Sequence, residues 1–312
     1  MKNTGTQQMY AYGHLPQGDV KVETIKTGID LFDDYISRYS GFIRGLTMFL
    51  TGTSGAGKTT LSVFLQSLLS SYKTVLYTRE QYAADVQRQC SEYKVAHGNA
   101  FIADKDSCPT FSDFVAMVEQ QRPDVIVMDS LQEIAKDFIE EMGEIKAITH
   151  IIDTMREIAA RHNSVVIFIG QMTKEGKFKG PQSILQLADA HMQMTFYPER
   201  KERVISWGGK NRNTKDPTEI LYYTLGDGIV KFYSEAEWEI ERNKYTYLQY
   251  MQEASKKYLK AMKNRPGYKE ANKKLIDISN RIDSMNLGED ETFMQMIKEI
   301  SAVTQATWPV AA

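Results

Sequence analysis

Gly52-Thr53-Ser54-Gly55-Ala56-Gly57-Lys58-Thr59 decides how the rest of this chain is read. Two glycines five positions apart, then lysine and a hydroxyl, fit the phosphate-binding loop pattern. Leu46 to Leu50 before it reads as a short buried strand, and Leu61 to Leu69 after it as a helix with apolar residues at helical spacing. Strand, glycine loop and helix N-terminus together make an anion cradle, because successive backbone N–H groups and the helix dipole converge on one point. The reading assigns nucleotide contacts to Gly52, Thr53, Ser54, Gly55, Ala56, Gly57, Lys58, Thr59 and Thr60. Lys58 is expected on the β- and γ-phosphates, and Thr59 on Mg²⁺. The competing reading is a glycine turn that binds nothing; the flanking strand and helix argue against it.

The second signal is Pro123-Asp124-Val125-Ile126-Val127-Met128-Asp129-Ser130, an apolar strand ending in a carboxylate. Beside a phosphate loop, Asp129 is placed to complete the Mg²⁺ site. Between these two stretches, Lys73 to Glu80 reads as another buried strand. Taken alone, Glu80 at its end is either a catalytic base or a plain surface carboxylate. Ala83 to Val95 and Phe111 to Gln121 read as helices, Phe101 to Ala103 as a strand, and Glu144 to Arg161 as a long helix. Ser164 to Gln171 is a further central strand with a polar end.

The loop Thr173-Lys174-Glu175-Gly176-Lys177-Phe178-Lys179-Gly180-Pro181 offers Lys174, Lys177 and Lys179 to phosphates and Phe178 to a stacked base. Read without context, a solvated loop is the better account of it. Met192–Phe196 with Arg203–Trp207, and Ile220–Leu225 with Ile229–Phe232, read as two hairpins. Lys210 and Arg212 lie one residue apart after the first hairpin, where they either reach an active site or face water. From Glu235 the pattern turns helical, with breaks near 264–267 and 287–290. Mutual packing of these helices is favoured over a docking surface for a partner. The division expected is an arm over 1–21, disordered or oligomerising, an α/β core over 22–234 and a helical region over 235–312.

Bulk properties narrow the choices. The chain has 312 residues, 42% hydrophobic and 25% charged, with a formal net charge of −2. That is an ordinary globular composition without a wholesale basic surface, so any nucleic-acid contact must be local. Cys90 and Cys108 are too few for a four-cysteine zinc ribbon and are expected as reduced thiols of a cytoplasmic protein. No apolar run approaches membrane-spanning length, and the N-terminus has no signal-peptide pattern.

With these pieces placed, residues 22 to 233 resemble the RecA-fold ATPases, most closely the ATPase core of the bacterial RadA/Sms proteins. Thr27-Gly28-Ile29 with Phe32-Asp33 is similar to that family's lead-in, Val75-Leu76-Tyr77 with Glu80 to its glutamate strand, and Asp129-Ser130-Leu131-Gln132 to its Walker B segment. Thr173-Lys174-Glu175-Gly176 with Gly180-Pro181 resembles its DNA-facing loop, and Lys210-Asn211-Arg212 the start of its KNRFG motif. Departures are Asn213-Thr214 in place of Phe-Gly, Gln171 where RadA usually has His, no zinc ribbon, and helices in place of a protease-like C-terminal domain. Lys210 to Asn213 also looks like the finger segment of DnaB-type helicases.

The resemblance implies a RecA-like, mainly parallel sheet flanked by helices. It implies ATP and Mg²⁺ as ligands, and copies of the chain in a ring or filament with ATP at their interfaces. Glu80 would activate water, Gln171 would sense the γ-phosphate, and Lys210 and Arg212 would act from the neighbouring subunit. The function implied is a DNA-dependent ATPase on single-stranded DNA in recombination or repair. The alternatives are a DnaB-type replicative helicase and an ATP-switched assembly protein without a DNA substrate.

Overall fold

In the computed structural model, residues 22–95, 98–173, 178, 180–226, 228–284 and 290–304 are described. The arm expected over 1–21 lies outside them.

The chain enters through strand β1 (Thr24–Ile25), helix α1 (Asp30–Ile36) and strand β2 (Phe42–Ile43), with β1 and β2 paired antiparallel. Asp33 fixes this entry: its carboxylate accepts from the Thr27 amide at 2.9 Å, the Thr27 hydroxyl at 2.8 Å and the Gly28 amide at 3.0 Å. The core follows as β3 (Thr47–Gly52), α2 (Lys58–Leu68), β4 (Thr74–Thr78), α3 (Ala83–Glu92), β5 (Ala100–Ala103), α4 (Phe111–Gln121) and β6 (Val125–Asp129). Next come α5 (Leu131–Met142), α6 (Glu144–His162), β7 (Val165–Gln171), β8 (Ala190–Tyr197), β9 (Glu202–Asn211), β10 (Leu221–Gly226) and β11 (Ile229–Tyr233).

Among the described residues these strands form a nine-stranded sheet in the order β11-β10-β9-β8-β3-β7-β6-β4-β5. From β8 to β5 every pairing is parallel; β9, β10 and β11 extend the sheet antiparallel. Every residue of β3, β4 and β6 is buried, which is why these strands read as near-continuous apolar runs rather than alternating ones. Strand alternation splits the core in two. Met48 and Leu50 join Leu61, Val63 and Leu65 of α2 on one face, while Phe49 joins Ile148, Ile152 and Met155 of α6 on the other.

Helix α5 has no counterpart in the sequence reading above. Its residues Leu131, Ile134, Ala135, Phe138, Ile139 and Met142 do keep helical spacing, and Gly143, at φ 79°, separates it from α6.

Three helices close the chain: α7 (Glu235–Met262), α8 (Tyr268–Ser284) and α9 (Asp290–Thr304). A capping box between Ser234 and Glu237 starts α7. Leu248, Met251, Leu275, Ile278, Ile282, Met296 and Ile300 bury one another. The apolar stripes therefore pack together, while Ile240, near the start of α7, is 62% exposed. Trp238 anchors α7 to the sheet: it stacks on Tyr222 at 5.2 Å, and its indole N–H donates to Glu202 at 3.3 Å. No helix of the described residues is long and apolar enough to cross a membrane.

Candidate active site

The phosphate loop leaves β3 at Gly52 and enters α2 at Lys58. It is clamped from the antiparallel side of the sheet. The Tyr223 hydroxyl on β10 donates to the Ala56 carbonyl at 2.5 Å, and Leu225 sits so close to Gly57 that an added Cβ would lie 2.4 Å from its Cδ1. Gly57 also has φ 92°, so the backbone requires glycine there, whereas the nearby Leu225 methyl could move aside. Lys58 Nζ folds back over the loop, donating to the Gly52 carbonyl at 2.9 Å and the Thr53 carbonyl at 3.2 Å.

Asp129, at the end of β6, is 3% exposed. Its Oδ2 accepts from the Thr59 hydroxyl at 2.7 Å. Burial pushes its pKa up to about 6; the charge of Glu80 pushes the same way, while the Thr59 hydrogen bond and Lys58 oppose it. A buried carboxylate short of positive charge, meeting a hydroxyl at the mouth of a phosphate loop, is a donor set suited to Mg²⁺. That ion takes hard oxygen ligands and few of them from protein. Thr59 and Asp129 thus fit the ion implied for them.

Glu80 stands two residues beyond the end of β4. Its Oε1 accepts from the Ser130 hydroxyl and from Gln171 Nε2, the latter at 2.6 Å. The Gln171 backbone N–H donates to Gln132 Oε1 at 3.4 Å. A polar chain therefore crosses the ends of β4, β6 and β7. With the loop it lines a cleft of about 470 Å³ that includes Gly52, Ser54, Lys58, Thr59, Glu80 and Asp129. Sequence reasoning gave no role to Ser130, Tyr223 or Leu225. Ser130 adjoins the strand-end aspartate and was within reach of a closer reading; nothing local marks Tyr223 or Leu225 as loop partners.

Arg212 lies at the opposite end of the sheet. Asn211 pairs with Ala190, which pairs with Met48 near the start of β3, whereas the loop begins at its other end. The segment is tied to the end of α1. Asn211 Nδ2 donates to the Ile36 carbonyl at 3.2 Å, and Arg38 donates from its amide to the Asn213 carbonyl and from Nη2 to the Arg212 carbonyl, both at 2.7 Å. Arg212 is exposed. The Lys210 backbone belongs to β9; its side chain lies outside the described residues.

The nucleic-acid loop is only partly covered, since Lys174, Lys177 and Lys179 lie outside the described residues. Phe178 is described, and it corrects the expectation placed on it. The ring is 4% exposed and packs edge-on to Phe49 at 6.0 Å, against Gly170, where a Cβ would sit 2.6 Å from its Cε2. It fills core space in this conformation and presents no face to a base.

Residues 25–165 match the profile of the family described as "ATPase: KaiC", a span that includes the loop, Glu80 and Asp129 and ends before Gln171. The chain is 22% identical over 169 residues to the DNA repair protein RadA of Aquifex aeolicus, covering 54% of this chain and 37% of that one. It is 24% identical over 197 residues to RadA of Brucella abortus, covering 60% and 41%. The matched region is thus about two-fifths of these relatives' length. The crystal structure of a KaiC-like protein from Pyrococcus horikoshii OT3 superposes with a TM-score of 0.55 at 21% identity, over 68% of this chain and 99% of that one. The α/β core is RecA-like.

Proposed function

We propose, from the premise that this chain carries a RecA-fold P-loop ATPase core, KaiC-like in profile and RadA-like in sequence, that it hydrolyses ATP in step with binding single-stranded DNA during recombination or repair. The observation that carries the reading is the convergence of Glu80, Ser130 and Gln171 beside Lys58, Thr59 and Asp129 at one cleft.

The chemistry asked of these residues is positioning and charge neutralisation. The loop amides and Lys58 would hold the phosphate chain; Lys58 can exchange its contacts with the Gly52 and Thr53 carbonyls for phosphate oxygens. Thr59 and Asp129 would hold Mg²⁺, which when bound neutralises charge on the transferring phosphate. Glu80 would orient the attacking water and accept its proton, with Ser130 and Gln171 fixing the carboxylate. Gln171 opens directly into the 173–181 loop, so a change in its bonding to Glu80 has a short path to that loop. The position of Arg212 supports a role toward a neighbouring copy rather than toward its own cleft.

Measuring ATPase rate with and without single-stranded DNA, with particle images under both conditions, tests the reading. Stimulation together with DNA-dependent rings or filaments is expected. A rate and assembly state indifferent to DNA would overturn it in favour of the second reading, an ATP-switched assembly protein, which the near-neutral charge favours. Unwinding of forked duplexes would move it toward the DnaB-type helicases.

A further inference from the structure

The helical region carries a segregated charge. Glu235, Glu237, Glu239 and Glu241 open α7 on the sheet side, and no basic residue enters the helix before Arg242. From 256 to 274 the balance reverses: Lys256, Lys257, Lys260, Lys263, Arg265, Lys269, Lys273 and Lys274 face a single acid, Glu270. That is a net +7 over 19 residues in a chain of net −2. All eight cations are exposed. Lys274 pairs with Glu270 at 3.0 Å; the other seven make no ion pair among the described residues.

The fold gathers these residues into one patch. They occupy the last turns of α7, the turn after it and the first turns of α8. The turn doubles back through Asn264 at φ 73° and Gly267 at φ 83°. Lys263 is 25 residues beyond the anchor Trp238, about 37 Å away at 1.5 Å per helical residue. The patch therefore lies about 37 Å along α7 from its anchor on the sheet, and none of its residues lines the ATP cleft.

A purely structural account covers little of it: Lys260 is the one of the eight in the last turn of α7. Cations in the last turn of α7 complement the negative end of the helix dipole. The same rule disfavours Lys269 in the first turn of α8, and seven unpaired like charges repel one another in the fold. The remainder calls for an external anion.

We infer that the α7–α8 tip is a nucleic-acid contact site that grips the phosphodiester backbone, separate from the ATP cleft and from the 173–181 loop. A membrane surface fits less well. Helices that lie on bilayers turn a continuous apolar face outward, whereas here Leu275 and Ile278 face the bundle core, and beside the cations Ile276 alone among the described large apolar side chains of 256–278 is exposed.

The test compares the full chain with a tip variant, Lys263→Gln/Arg265→Gln/Lys269→Gln/Lys273→Gln, and a loop variant, Lys174→Gln/Lys177→Gln/Lys179→Gln. The probes are a fluorescent oligothymidine and a duplex of the same length, titrated across salt concentrations; anionic phosphatidylserine vesicles are the third arm. The tip variant should keep the melting temperature and the DNA-free ATPase rate. Its DNA affinity should drop about 10- to 100-fold, with a log–log salt slope shallower by about 2 to 3, since four fewer phosphates are neutralised. Unchanged affinity and slope in the tip variant would overturn the inference. If the loop variant alone loses binding, the tip is excluded while DNA-coupled hydrolysis stands; if only the tip variant loses binding, the tip is the DNA contact. Vesicle binding that depends on the tip while DNA affinity does not would also overturn it.

Discussion

Consider Arg212→Ala mixed with Glu80→Gln. Asn211 lies level with Met48 across β8, and the phosphate loop starts at Gly52, four residues further along β3. At ~3.3 Å per residue this is about 13 Å of strand before the loop begins, and Arg212 lies beyond Asn211 in the opposite direction. A role in catalysis therefore requires a second subunit whose cleft faces this end of the sheet. In such a head-to-tail assembly every interface takes one Glu80 from one copy and one Arg212 from the other. Each variant alone should lose DNA-stimulated turnover, Arg212→Ala by a factor on the order of 10³, the lower range for a cation stabilising a transferring phosphate. An equimolar mixture that assembles at random leaves about one quarter of interfaces with both residues intact, so it should recover about a quarter of wild-type turnover. The assay is steady-state phosphate release with saturating oligonucleotide, with co-assembly checked by labelling the two variants differently. A mixture that co-assembles yet hydrolyses no faster than the mean of its parents would refute the reasoning and leave Arg212 a surface residue.

Four further outcomes can be checked singly. Glu80→Gln should bind ATP normally by fluorescence titration yet turn over at least about 10²-fold more slowly, a barrier increase of about 2.7 kcal/mol. Tyr223→Phe removes one buried hydrogen bond to the loop, worth about 1 kcal/mol, and calorimetry should show a loss of roughly 2–4 °C with weaker ATP stabilisation. Phe178→Ala should cost about 3–5 kcal/mol of stability by chemical denaturation, as a core ring would; weakened DNA binding at unchanged stability would restore the stacking role. Burial holds the pKa of His191 below the ordinary histidine value, with the Gly208 carbonyl acting the other way. Folded and unfolded chains are both neutral there above pH ~6.5, and below it the unfolded chain takes a proton that the fold resists, so stability falls as pH falls. His191→Gln should flatten that part of a melting-temperature profile relative to wild type.

The parallel core was legible because its signals are local. Buried strands are continuous apolar runs, glycines mark the phosphate loop, and a carboxylate ends β6. Helical spacing and the breaks near 264–267 and 287–290 likewise set α7 to α9 apart. What stayed hidden depends on distant parts of the chain meeting. Tyr223 touches Ala56 across 167 residues, and no pattern around either one announces it. Phe178 sits among lysines and glycines that suggest a solvated loop, yet the missing side chain at Gly170 makes room for its ring. Glu80 was ambiguous alone, and no local pattern shows that sheet order brings Ser130 and Gln171 to it from 50 and 91 residues away.

Strand β10 places two adjacent tyrosines on opposite faces. Tyr223 holds the phosphate loop, and Tyr222 carries the stacked indole of Trp238 at the root of α7. One peptide unit joins the two contacts, so a shift of the loop large enough to move that peptide would reach the root of α7 as well. The 28-residue helix would then act as a pointer on that pivot. At a length of about 40 Å, a tilt of about 5° would sweep its far end through roughly 3.5 Å, the scale of a single hydrogen bond made or broken.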